Sequence, residues 1–530
     1  MTQRASLFSD ASHALAFWAG SLAVTIGVLL HIPMFLMGRY THYKLAGMPM
    51  GTPMLIGMGL IVAGTIATAY GLIPRHAKID NFEEIAPPED APLTRAHWVQ
   101  IALLSVALII DVMKPATLGF VIPGMRTEYG LSFAHVALLP FSGLLGTTIG
   151  SFIWGALADM YGRRATILLA AIVFMGTSIC GAMPSFAWNI FMCFMMGLGA
   201  GGMLPVAYAL LAEIMPTRHR GWCLVLVGGI GTIGGYFVTS SLSALLQPYF
   251  GWRIMWLLGL PISAILVVVS PLLPESARFL QSMGRLEEAR ETLARFGITI
   301  DTSAPKSASA KPAPASPVKL RSLLGLTCAL TLTALCVGFV SFGVLLWLPG
   351  SLMHEGRSMA AASKLIARST LIAAPTLVLA SWLYSIWSTK RTLILSVVIT
   401  TLGLVAILLR DVEGLPFLSN PVLPVVLLIM GTSGIVSMIL PYSAESYPLR
   451  VRGRATGWVA GFSKAGGLVA QGLGALALVP ALGLAAGIVA IPCTLALLLL
   501  ATLGHETHGL DLRELEGATL RGGVATVGSD

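Results

Sequence analysis

Apolar residues in this chain run in long blocks broken by short polar turns. They show neither the alternation of a half-buried strand nor the one-sided stripe of a soluble helix. Blocks of about 20 residues or more, long enough to cross a bilayer's hydrocarbon, fall near 14–37, 53–74, 98–123, 133–157, 166–185, 187–211, 222–248, 254–273, 323–349, 360–387, 393–409, 421–442, 455–478 and 482–503. The pattern predicts an all-α membrane protein with fourteen spanning helices. The first block is too long for the apolar region of a signal peptide and lacks a small-residue cleavage site, so it counts as a span.

Composition agrees: 56% of the 530 residues are hydrophobic and 11% are charged, too apolar for one soluble core. The net charge of +9 would suit a nucleic-acid binder, but topology explains it. With a cytoplasmic N-terminus, alternating loops place Arg163, Arg164, Arg218, Arg220, Arg450, Arg452 and Arg454 inside, and Arg126 and Arg410 outside. That is the positive-inside bias of a multi-pass protein of the cytoplasmic membrane with both termini in the cytoplasm. The six cysteines, Cys180, Cys193, Cys223, Cys328, Cys336 and Cys493, sit in or beside apolar runs without metal-ligand spacing. No metal site, cofactor loop or soluble catalytic domain is expected, so the expected partners are the lipid bilayer and a small molecule, with no nucleic acid.

The most specific local signal is Gly155-Ala-Leu-Ala-Asp159-Met-Tyr-Gly162-Arg163-Arg164, a charged turn between two apolar blocks. Spans joined by so few residues are antiparallel neighbours; Gly155 and Gly162 are expected to ease the turn, and the acid and arginines to lock or release the helix ends. The stretch fits G-x-L-A-D-x-x-G-R-R and resembles the loop between the second and third helices of the major facilitator superfamily. That resemblance implies twelve core helices in two six-helix halves, here with two extra N-terminal spans.

The chain also repeats itself. Ala212-Glu213-Ile-Met-Pro216-Thr-Arg218-His-Arg220-Gly221 aligns with Ala444-Glu445-Ser-Tyr-Pro448-Leu-Arg450-Val-Arg452-Gly453 at an offset of 232. The gate loop has a weaker counterpart at Ser381-Trp-Leu-Tyr-Ser385-Ile-Trp-Ser388-Thr-Lys390-Arg391, whose acid is lost. Repeated halves are how secondary transporters build a central site with two alternating openings. The predicted layout is residues 1–96 for the extra spans and an acidic tether at 81–90, 97–273 for the first half, 274–322 for a cytoplasmic linker, 323–503 for the second half and 504–530 for a tail. In the linker, Pro274-Glu275-Ser276-Ala277-Arg278-Phe279-Leu280 resembles the junction of sugar-porter-like members. Leu286, Ala289, Leu293 and Phe296 form one stripe of an interfacial helix, and 304–317 reads as a flexible Ala/Pro/Ser segment.

Few ionisable groups lie within spans, where a charge costs about 2.5–3.5 kcal/mol on insertion scales, so each is a functional candidate. Asp111 and Lys114 stand three apart beside Pro115, whose missing amide is expected to weaken the helix there. Lys464 lies well inside the penultimate span, and Arg368, one turn after Lys364, lies in a second-half span; an outward-snorkelling Arg368 is the alternative. Glu213, Arg220, Glu445 and Arg452 read as gate ion pairs at cytoplasmic helix ends. Gly197–Gly202 and Gly228–Gly235 read as helix-packing surfaces rather than phosphate loops. Asp111 with Leu118, Gly119, Phe120, Val121 and Pro123 resembles the first helix of the aromatic-acid:proton symporters, in which the second acid is here Lys114. A base at the place of Lys464 resembles their carboxylate ligand.

These readings converge on secondary active, proton-coupled uptake of a small organic anion. Asp111 would carry the proton, Lys114 and Lys464 would bind the carboxylate, and the 155–164 loop would close the inner gate. A sugar-type or niacin-type porter, a drug:proton antiporter and a non-transporting sensor remain as alternatives.

Overall fold

A computed structural model describes residues 8, 10–73, 91–269, 272–298, 320–411, 420–447 and 449–508. The acidic tether, the Ala/Pro/Ser segment and the tail beyond 508 lie outside them, as do Pro448 and the side chain of Arg450.

Every predicted apolar block is helical. In chain order the helical segments are α1 (Ala11–Thr41), α2 (Thr52–Gly71), α3 (Arg95–Tyr129), α4 (Phe133–Tyr161), α5 (Arg163–Ala182), α6 (Phe186–Ile214), α7 (Arg218–Phe250) and α8 (Ile254–Val268). Two short linker helices follow, α9 (Ala277–Ser282) and α10 (Leu286–Arg295). The second half comprises α11 (Leu323–His354), α12 (Met359–Ile386), α13 (Thr389–Leu408), α14 (Val422–Ser446), α15 (Leu449–Ala475) and α16 (Leu482–Leu503). Among the described residues twelve of these are long and apolar enough to span a membrane. The other two candidates are α8, which is short, and α15, which carries Arg450, Arg452, Arg454 and Lys464. With no water in the hydrocarbon, helices satisfy their own backbone polar groups, which is why long apolar blocks take this form.

Close packing follows the glycines. A side chain at Gly146 or Gly150 of α4 would collide with the backbone of α6 at Phe194 and Leu198, and one at Gly202 would overlap Trp154. Gly231, Gly234 and Gly235 of α7 receive Leu108, Ile109 and Val112 of α3. The two glycine-rich runs therefore pack helices together. At the linker, Ser276 caps α9 by accepting from the Phe279 amide at 3.1 Å, and Ala289, Leu293 and Phe296 are buried. Leu286, the first residue of α10, is 50% exposed.

Two backbone irregularities matter for the site. Helix α3 runs unbroken through Pro115 and Pro123, so the expected local weakening produces no break. In α11, residues Val340–Val344 form a π-helical turn, which the sequence pattern does not signal and which sits where such turns often sit, beside a cavity.

The halves meet along two seams. Helix α7 lies against α12 and α14 along its length: Gly221 faces Glu445 and Tyr384, Gly229 faces Leu377, and the Ser243 and Ser363 hydroxyls are 2.8 Å apart. Helices α4 and α15 meet only at one end, where Gly467 faces Leu144 and Gly474 faces Ala137. Toward the arginine-rich end, Gly155 of α4 and Gly453, Gly457 and Gly461 of α15 have open space around them. At the far end Gly119 and Pro123 of α3 close against Leu346, Pro349 and Gly350 of α11. Along α4 and α15 the halves are thus closed toward the far end and parted at the arginine-rich end, while the α7 seam stays closed throughout.

Candidate functional site

Between the halves lies a cavity with an empty volume of about 1090 Å³, its open mouth included. Its wall draws on α3 (Asp111, Pro115), α4 (Thr147), α7 (Thr232, Tyr236), α11 (Ser341, Phe342) and α15 (Ser463, Lys464), with aliphatic residues between them. Asp111 and Lys464 are the two charged side chains among the described residues lining it. They stand on walls that opposite halves contribute. Asp111 is buried and its Oδ1 has no hydrogen-bond partner; Lys464 Nζ lies 5.4 Å from the centre of the Phe342 ring. The π-helical turn of α11 turns Ser341 and Phe342 into this wall. Its carbonyls are held by side chains: Tyr236 Oη donates to Ser341 O at 3.4 Å, and Gln471 Nε2 donates to Phe342 O.

Lys114 goes elsewhere. Its ammonium donates to Phe174 O at 3.2 Å and sits 5.0 Å from that residue's ring centre. A side chain at Gly259 would collide with it and with Ser178. Residues three apart on a helix differ by about 60° in direction, and here that turn carries Lys114 from the cavity wall into the interior of the first half. Asp111 and Lys114 therefore do not share the cavity; the cation that shares it with Asp111 is Lys464, from the opposite half. Arg368 is exposed and absent from the cavity wall, the snorkelling alternative.

The gate residues form two clusters at the arginine-rich end. Arg163 bridges Asp159 at 3.1 Å and Glu213 at 3.2 Å and donates to Ala158 O at 2.8 Å. The turn is made by Gly162 alone, at φ +96°; Gly155 is helical and exposed. Arg164 is buried beside Glu275. In the second cluster Glu445 accepts from Tyr384 Oη at 2.8 Å and Thr507 Oγ1 at 2.9 Å and lies near Arg452, whose Nε donates to Tyr447 O. Two hydroxyls together with Arg452 thus surround this acid, where Arg163 holds Glu213. Arg220 is half-buried at the start of α7.

Two acids have a role that the sequence reading did not assign. Glu275 accepts from the Arg163 and Arg164 amides at 2.7 and 3.3 Å, capping α5. Glu506 caps α13 by accepting from the Thr389 amide at 3.0 Å and from the Ser388 hydroxyl. Burial raises the Glu275 carboxyl above its ordinary value, with the amides and Arg164 pulling the other way. At Glu506 burial acts in the same sense, but the hydrogen bonds from Ser388, Thr389 and the His508 amide outweigh it and hold the carboxyl below its ordinary value. Each acid follows the last span of its own half, the one signal that pairs them.

The profile of the Major Facilitator Superfamily matches residues 104–410. The chain belongs to that superfamily. It is a multi-pass membrane transporter of small molecules. The niacin transporter NiaP of Acinetobacter baylyi is 27% identical over 72% of this chain and 87% of its own length. The 4-hydroxybenzoate transporter PcaK of Pseudomonas putida is 28% identical over 72% and 87%, and the gallate transporter of Pseudomonas putida 26% over 79% and 97%. In fold the chain is similar to the xylose transporter XylE from E. coli in its inward-open conformation, at a TM-score of 0.63 and 18% identity over 79% of this chain and 99% of that one.

Proposed function

We propose that the protein imports a small aromatic carboxylate together with a proton across the cytoplasmic membrane, with both termini in the cytoplasm. The observation that carries this reading is that Asp111 and Lys464, from opposite halves, are the two charged side chains among the described residues that line one cavity. With Asp111 ionised, Lys464 has a counter-charge. Protonating Asp111 removes that charge and leaves the ammonium needing an anion, so proton and carboxylate favour each other's binding. Tyr236 and Phe342 supply flat apolar surfaces for a ring. The relatives named for niacin, 4-hydroxybenzoate and gallate support the substrate class.

Lys114 then holds the first half together rather than touching substrate. The Asp159–Arg163–Glu213 cluster and its counterpart around Glu445 and Arg452 form the inner gate, and the parted α4–α15 seam is the open inner mouth. The far end, where α3 meets α11, is the closed outer gate.

The deciding experiment is uptake of labelled benzoate, 4-hydroxybenzoate, gallate, nicotinate and xylose into proteoliposomes under an inward proton gradient, with and without a protonophore. Accumulation of one or more carboxylates, abolished by the protonophore, is expected. Uptake of xylose alone, or carboxylate accumulation indifferent to the protonophore, would overturn the reading.

A further inference from the structure

The two extra N-terminal spans are built into the first half at a specific place. We propose that the loop joining α1 to α2 is a clamp that positions the outer gate. The inference rests on the sidedness proposed above.

The hairpin is stiff. A side chain at Gly20, Gly27 or Gly57 would come within 2.6 Å of the partner helix's backbone, and one at Gly71 within 2.6 Å of His13 O. His31, fully buried between the two helices, bonds Gly27 O at 2.8 Å. The loop is held against local preference: His42 and Tyr43 are consecutive non-glycine residues at φ 53° and 60°. Such conformations persist where surrounding contacts over-determine them. Here the Tyr43 ring stacks on Phe35, centroids 4.8 Å apart, and meets Phe250 at the end of α7 at 5.7 Å.

Beyond that turn the loop grips the core. The Leu45 and Ala46 amides donate to Glu128 Oε1 on α3 at 2.7 and 3.0 Å, and the Gly47 amide donates to Pro184 O between α5 and α6 at 3.1 Å. Glu128 is itself ion-paired to Arg253 Nη2 at 2.7 Å and accepts from Trp252 Nε1 at 2.8 Å. Arg253 donates onward to Met183 O at 2.7 Å and Tyr129 Oη at 2.9 Å. Both members of the ion pair are nearly inaccessible, at 3% and 0% exposure. A buried pair of this kind needs its remaining hydrogen bonds satisfied, and two of the donors to Glu128 come from the loop.

The far ends of α3, α7 and α8 are thereby tied at one point. Leu45, fully buried, belongs to an apolar cluster with Met125, Trp252 and Trp256 that also takes in Leu346 of α11. Leu346 comes from the opposite half and packs on Gly119. The loop therefore fixes the surface on which the second half closes.

The test uses the full chain with Pro349→Cys at the closed gate and Cys328→Ser, reconstituted right-side-out and treated with a membrane-impermeant maleimide from the outside. Leu45→Ala and the milder Tyr43→Ala are expected to raise the labelling rate about tenfold, with Leu45→Ala the larger effect. Size-exclusion profiles confirm folding, and Tyr43→Ala carries the test should Leu45→Ala fail to fold. Unchanged rates in the folded variants would overturn the clamp. In a parallel inside-out preparation, labelling of Pro349→Cys there and not in the right-side-out vesicles would instead overturn the sidedness on which the clamp and the import reading both depend.

Discussion

Asp111 and Lys464 are each costly where they stand, and among the described residues each is the only opposite charge that lines the cavity with the other. Removing one leaves the other as a lone charge in a low-dielectric cavity, a larger loss than the worth of the pair. Lys464→Gln is expected to lower carboxylate uptake by about tenfold to a hundredfold, the loss of one charge-assisted hydrogen bond of about 1.5–3 kcal/mol. Lys114→Met, by contrast, is expected to leave the apparent affinity for substrate within about twofold while changing thermal stability; initial-rate uptake and a melting curve separate the two. A Lys114 variant that loses substrate affinity would return that residue to the binding site. At the inner gate, Gly162→Ala places a side chain at φ +96° within 2.5 Å of Glu275. The strain is of order 1–3 kcal/mol, visible as a lower melting temperature. The sequence showed that Asp111 and Lys464 were intramembrane charges but not that they line one cavity, because that depends on how two halves distant in the chain face one another. The nearer candidate, Lys114, looked like the partner since three-residue spacing brings side chains near one helical face. What spacing leaves open is on which side of the cavity wall the second residue falls.

At the scale of elements, helices were legible because bilayer thickness dictates the length of each apolar block, and the 212–221 and 444–453 repeat announced the halves. The π-helical turn of α11 was not legible: its cause lies in tertiary contacts from Tyr236 and Gln471, neither of them local. The helix caps were half legible. Glu275 lies in a stretch that resembles a known junction, while Glu506 stands in Gly504-His505-Glu506-Thr507, which resembles it only in position. The two caps should respond differently to acid. Glu506 has a folded-state carboxyl below its ordinary value, so the fold binds that proton more weakly than the unfolded chain does. Its contribution to stability is complete above the ordinary carboxylate range and is lost as pH falls through that range toward the depressed value. Glu506→Gln is therefore expected to lower the melting temperature at pH 7 and to differ less from the parent as the pH is brought below the ordinary range. A difference that stays constant with pH would show that the cap acts without its charge. Glu275, raised by burial, has the opposite sign: its proton is held more tightly in the fold, so acid does not weaken that cap through linkage.

For the whole molecule, the charges of the cavity constrain what can cross with it. The empty carrier presents one negative and one positive group, and the loaded carrier presents a neutral acid with an ammonium paired to a carboxylate. Both forms are neutral at the cavity, and moving a net charge through a low-dielectric passage is the step the arrangement avoids. One proton accompanying one monoanion moves no net charge. Uptake is therefore expected to follow the pH gradient alone, reaching about tenfold accumulation per pH unit at equilibrium, and a potassium diffusion potential set with valinomycin at equal pH should drive none. Asp111→Asn removes the titrating group but keeps the shape. That variant is expected to exchange labelled for unlabelled substrate at a measurable rate while failing to accumulate it against a gradient, because the ammonium no longer loses its demand for an anion on the inner side. Potential-driven uptake in the parent protein would require a second proton or another cation to share the passage, and the two-charge scheme built on Asp111 and Lys464 would then fail.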